Sequence, residues 1–138
     1  MRITDLLDAR SILLNASPKS KNEALDQIVD LMVKSEKIND KEAYRKQVYA
    51  REEESTTGIG EGIAIPHGKC DAVTKPGLAA MVVKDGVDFD SLDGEPVTPV
   101  VSIFIFTVSA SPAQQHDFFS MHNLPNFTFL RYHVFFSD

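Results

Sequence analysis

VVSIFIF, at residues 100–106, carries apolar side chains at both alternations of an extended chain. A strand wet on one side alternates apolar with polar; a strand buried on both sides does not. The run therefore predicts an interior strand covered by helices on each side. Working back along the chain, LAAMVV at 78–83 is a second candidate strand. It is followed by the turn signal Asp85-Gly86 and an acidic loop through Asp93-Gly94-Glu95-Pro96. Further back the texture is helical. Ser20 and Glu23 have capping-box spacing, and Ala24, Leu25, Ile28, Val29, Met32 and Val33 then recur on one face, which predicts a helix ending near Ser35. After a polar turn at Lys37-Ile38-Asn39, Asp40 can cap a second helix carrying Ala43, Tyr44, Gln47 and Val48, with Arg51 to Glu54 in its last turns. Glu52, Glu53 and Glu54 at a helix carboxyl end oppose the backbone dipole, so that end frays or serves a purpose beyond stability. Between the helices and the strands lies TTGIGEGIAIPHG, residues 56–68. Its glycines predict a loop, followed by a short strand Ile63-Ala64-Ile65 that stops at Pro66. The class is α/β: a single domain with a mixed β-sheet flanked by helices on both faces.

Composition removes several alternatives. The 138 residues include one cysteine, Cys70, so no disulfide framework exists, and a reducing, cytoplasmic compartment is expected. No apolar run approaches the roughly 20 residues of a membrane span, and the amino terminus lacks an apolar signal region, so neither secretion nor membrane insertion is expected. With 14 Lys and Arg against 20 Asp and Glu, the formal net charge is -6. Such a chain repels a phosphate backbone, and nucleic acid is not an expected partner. The end of the chain is atypical. FFSMHNLPNFTFLRYHVFFSD, residues 118–138, holds six of the nine phenylalanines but only two charged residues, Arg131 and Asp138. It shows no helical period, and Pro125 interrupts it.

His67 is the first candidate for chemistry. Alone, a histidine after a proline is more often a hydrogen-bonded surface or core residue than a reactive one. Its neighbours change the balance. Pro66 fixes its own φ and biases Ile65 toward an extended conformation, so His67 is expected to be held out from a rigid base. On the preceding loop, Thr57, Gly58, Gly60 and Gly62 are candidate phosphate-binding residues, because glycine lets backbone N–H groups approach an anion without Cβ interference. The glycines equally suit a plain surface turn, and their spacing excludes a nucleotide P-loop. Arg51 can grip a phosphoryl group through paired, charge-assisted hydrogen bonds. Alternatively it favours its own helix terminus and pairs with Glu52 or Glu54. A metal site from His67, His116 and Cys70 ranks low, since no metal-ligand spacing supports it, and Cys70 reads as a passive small residue. No metal and no cofactor are expected.

Glu52 and the run Ile59-Gly60-Glu61-Gly62-Ile63-Ala64-Ile65-Pro66-His67-Gly68 closely resemble the active-site signature of fructose/mannitol-type (type 2) enzyme IIA domains of the bacterial phosphoenolpyruvate-dependent sugar phosphotransferase system. The resemblance runs from ITDLLDARSILLN through GVDFDSLDGEPV, covers about residues 1–119, and is strongest to fructose-specific members. It implies that His67 is phosphorylated by the carrier protein HPr and passes the group to a cysteine of an enzyme IIB domain, which serves a membrane IIC permease. It also places Arg51 at the family's active-site arginine and His116 at its second histidine, a hydrogen-bond donor to the phosphoryl oxygens. A regulatory IIA-like module of the nitrogen or transcription-regulator type, whose phosphorylation controls partner binding, is the alternative. Carrier chemistry further requires a ring that solvent reaches. His122 and His133 match nothing in the pattern. After His116 the family continues as leucine-rich amphipathic helices, whereas this chain turns aromatic, as a frameshifted or diverged end would. The expected division is a type-2-like IIA domain at 1–119 and a divergent C-terminal segment of the same domain at 120–138.

Overall fold

A computed structural model describes residues 3–95 of the protein. The candidate strand at 100–106, His116, His122, His133 and the aromatic stretch 118–138 lie outside the described residues. One helical turn, α1 (Ile3–Leu6), runs directly into β1 (Leu7–Ala16). The sequence reading does not anticipate β1, because its residues lack the two-residue alternation of a half-buried strand. The structure supplies the reason: pairing jumps from Leu7↔Leu78 to Ile12↔Ala80, so residues 8–11 bulge out of the ladder. Ser11 fills the bulge, its hydroxyl lying 2.8 Å from the Asp8 carbonyl and 2.9 Å from that of Leu78.

The helix α2 (Lys21–Lys34) starts where its capping residues require. The Ser20 hydroxyl accepts the Glu23 N–H at 3.2 Å, while the Glu23 carboxylate reaches back past the cap to the Lys19 N–H. Its buried face holds Ala24, Leu25, Ile28, Val29, Leu31 and Met32, with Val33 half-buried beside it. That face packs against β1 and β4 (Leu78–Val83), which pair in parallel.

The connection after α2 is less polar than its composition suggests. Ile38 forms an antiparallel bridge with Val73, and Lys37 is buried. The Lys37 ammonium donates to the Asp5 and Leu6 carbonyls at 3.1 and 2.5 Å, tying down the end of α1. Burial pushes its pKa below the ordinary lysine value. Its stem lies so close to Gly77 that a Cβ there would sit 2.5 Å from Lys37 Cδ.

Asp40 caps α3 (Lys41–Glu54), its carboxylate accepting the Ala43 N–H at 3.1 Å. Tyr44 and Val48 are buried, and α3 packs on α2. The helix does not fray at its acidic end: it stays regular to Glu54 and stops where Ser55 turns extended. The glycine-rich stretch that the sequence predicts as a loop is a small antiparallel hairpin, β2 (Gly58–Gly60) against β3 (Ile63–Ala64). Its turn uses positive φ at Gly60, Glu61 and Gly62, which two glycines make inexpensive. Together these elements make a mixed α/β arrangement around a core that runs from Ala16 through Ile28, Tyr44 and Met81 to Phe89.

Candidate functional site

The end of α3 and the segment after β3 meet at one pair of side chains. Arg51 Nε lies 3.1 Å from His67 Nε2, and the other ring nitrogen, Nδ1, lies 3.0 Å from the Ile65 carbonyl oxygen. These partners determine the tautomer. A carbonyl only accepts, so Nδ1 carries the proton; a guanidinium N–H only donates, so Nε2 offers a lone pair. The ring is therefore neutral, with its nucleophilic nitrogen aimed at Arg51. The guanidinium is held in turn by Ser55, whose carbonyl and hydroxyl accept from Nη1 at 3.1 and 3.3 Å. Gly68 allows this proximity. A Cβ there would stand 3.1 Å from Val48 Cγ2 and 3.3 Å from both the Val48 amide nitrogen and Tyr44 Cε2.

His67 is not held out as Pro66 suggests. It is 5% exposed, because both ring nitrogens are engaged and the segment is pressed onto α3. It nevertheless lines an open cleft of about 430 Å³ shared with Gln47, Ala50, Arg51, Glu54, Gly68 and Lys69. Arg51 and Lys69 make the cleft hospitable to an anion, while Glu54 tempers the charge, which suits a group that must bind and leave.

The hairpin residues have other neighbours. Thr57, Gly58, Gly60 and Gly62 are not among the residues lining the cleft. The Thr57 amide and hydroxyl donate to the Glu52 carboxylate at 2.9 and 2.5 Å, and the Gly58 amide donates to the Thr56 hydroxyl at 3.1 Å. A Cβ on Gly58 would meet Ser91 Oγ at 2.8 Å, and one on Gly60 would meet Asp93 Oδ2 at 2.9 Å. Close packing against residues 91–93 thus accounts for Gly58 and Gly60, and turn geometry accounts for Gly62. Of the expected phosphate cradle, the Thr57 amide donates to Glu52 and the Gly58 amide to the Thr56 hydroxyl. His116 lies outside the described residues. Cys70 is half-buried and packs against the core beside Tyr44, as a small apolar residue would.

Sequence reasoning missed how Glu52 is used. Its side chain is 6% exposed and pairs with Lys21 Nζ at 2.9 Å, across from α2. The three acids that look misplaced at the helix end therefore include one anchored carboxylate. No local signal links Lys21 to Glu52, since they lie on different helices.

Residues 5–119 match the family model described as phosphoenolpyruvate-dependent sugar phosphotransferase system, EIIA 2. The chain belongs to that family. Over 103 residues this EIIA 2 chain is 47% identical to the PTS system fructose-specific EIIABC component of Bacillus subtilis, a match spanning 75% of this chain and 16% of that protein. It is 35% identical over 114 residues to the fructose-specific EIIA component of Haloferax volcanii, spanning 83% of this chain and 72% of the relative. The crystal structure of nitrogen regulatory protein IIA-Ntr from Neisseria meningitidis superposes with a TM-score of 0.69 at 30% identity, covering 86% of this chain and 80% of that one. The mixed α/β fold of the EIIA 2 chain is shared with that Neisseria meningitidis protein.

Proposed function

We propose that the protein is a phosphoryl carrier: phospho-HPr donates to His67, and a cysteine of an enzyme IIB domain receives the group for sugar uptake of the fructose type. The observation that carries this reading is the Arg51–His67 pair at 3.1 Å beside an open cleft. His67 Nε2 attacks phosphorus, the bond between phosphorus and the donor nitrogen breaks, and that nitrogen keeps the electron pair. Arg51, displaced from the lone pair, turns its N–H groups onto the phosphoryl oxygens, so one side chain serves both states. His116 is the expected second donor. The fructose-specific names of the two relatives, one of them an EIIABC component, support the sugar class and the IIB partner. Cytoplasmic residence follows from these partners, and none of the described helices is long and apolar enough to cross a membrane. On the same reading, residues 1–119 form the IIA domain and 120–138 its divergent C-terminal segment.

The likeness to a nitrogen regulatory IIA protein favours one second reading, in which His67 phosphorylation controls partner contacts and no sugar moves. Incubation with phosphoenolpyruvate, enzyme I and HPr should place acid-labile, alkali-stable phosphate on His67. Subsequent transfer to a IIB domain separates the carrier from the regulator. A folded protein that takes no label refutes both.

A further inference from the structure

Two consecutive residues of α3 act on the two nitrogens of one imidazole. Arg51 contacts Nε2 directly. Glu52 reaches the other side through the backbone. Its carboxylate accepts from the Thr57 amide at 2.9 Å and from the Thr57 hydroxyl at 2.5 Å. The Thr57 carbonyl then accepts the Ile65 N–H at 2.9 Å, and the Ile65 carbonyl accepts the His67 Nδ1 proton at 3.0 Å. Lys21, from α2, closes the far end at 2.9 Å from Glu52 Oε1 and lies 4.9 Å above the Phe89 ring. Stability alone does not favour this arrangement. A carboxylate in the last turn of a helix opposes the dipole, and burying it requires a cation and hydrogen-bond donors brought from elsewhere. Lys21 and Thr57 supply both.

We propose that Glu52 is a positioning residue for His67: by clamping Thr57 it fixes the Ile65 carbonyl that holds the Nδ1 proton, and so keeps the lone pair on Nε2. With that carbonyl displaced, only the Arg51 contact would oppose a proton on Nε2, and such a proton would block attack on phosphorus. This rests on the phosphoryl-carrier reading for its purpose, but the tautomer can be measured without any phosphoryl transfer.

The experiment is ring-nitrogen NMR of 15N-histidine-labelled full-length protein at neutral to mildly alkaline pH, in the wild type, Glu52→Gln, Thr57→Val and Thr57→Ser. The wild type should show His67 as the Nδ1–H tautomer. Glu52→Gln and Thr57→Val should shift it toward a mixture and lower the maximal rate of phosphorylation by about tenfold, with little change in the KM for the phosphoryl donor. Thr57→Ser, which keeps amide and hydroxyl, should restore the wild-type pattern. Thr57→Val carries the test if Glu52→Gln fails to fold. A folded Glu52→Gln or Thr57→Val variant with an unchanged tautomer overturns the proposal. A wild type that shows the tautomer, and loses it in the variants, yet accepts no phosphoryl group overturns the carrier reading alone.

Discussion

Arg51 Nε donates to His67 Nε2 across 3.1 Å, so the lone pair that would attack phosphorus is covered, in the free protein, by the group that would hold the phosphoryl oxygens. A guanidinium does this better than an ammonium, because it can leave the ring nitrogen and still present paired donors to an oxyanion. Arg51→Lys should therefore fold normally and lose about 1.5–3 kcal/mol of transition-state stabilisation, or roughly ten- to a hundredfold in phosphorylation rate. Single-turnover labelling from phospho-HPr measures it; a rate within twofold of wild type would contradict the role given to Arg51.

Gly68 places that pair by absence. An added Cβ would lie 3.3 Å from the Val48 amide nitrogen, a backbone atom within α3 that cannot step aside. Gly68→Ala is expected to push the segment off α3, cost about 1–2 kcal/mol in urea unfolding, and weaken labelling of His67 more than its stability loss explains. Equal labelling of the folded fraction would separate the two effects against this view.

Tyr44 is fully buried, and its hydroxyl has no hydrogen-bond partner among the described residues. Burial, with a smaller contribution from Cys70, holds its pKa well above the ordinary value of 10. The sign follows: the neutral phenol is favoured in the folded state, so this contribution is complete below pH 10 and is lost as pH rises beyond it. Tyr44→Phe should leave stability at neutral pH unchanged or raise it by up to about 1 kcal/mol, and should flatten the alkaline fall. Urea melts of both proteins across that range provide the comparison.

Asp26 governs part of the acid limb. A hydrogen bond from Arg45, reinforced by the Tyr49 hydroxyl, lowers its pKa from 3.8. A lowered carboxylate stabilises the fold above 3.8, and that contribution disappears as pH falls through the folded-state value. The two side chains are only 39% and 43% exposed, yet solvent still screens the pair, so the loss in Asp26→Asn should not exceed about 1 kcal/mol at neutral pH and should vanish in strong acid. Equal destabilisation at both extremes would show that packing, not charge, is lost.

The sequence by itself determined what depends on neighbours along the chain. Ser20 and Asp40 mark the starts of α2 and α3 because an N-cap acts over three residues, and the three-and-four spacing of Ala24, Leu25, Ile28, Val29 and Met32 specifies the buried face because a helix repeats every 3.6. The strand 78–83 was legible for a similar reason, as was the family, whose signature is a continuous run ending at His67-Gly68. What remained hidden depends on distances through space. The bulged strand β1 draws its register from Leu78 and Ala80, more than sixty residues away, and shows no alternation of its own. The purpose of Glu52 is set by Lys21 and Thr57, and the burial of His67 by the absence of a Cβ at Gly68. Only the tertiary structure decided these, because a lone pair, a tautomer and a buried charge are each fixed by whichever donor or acceptor the fold brings within about 3 Å.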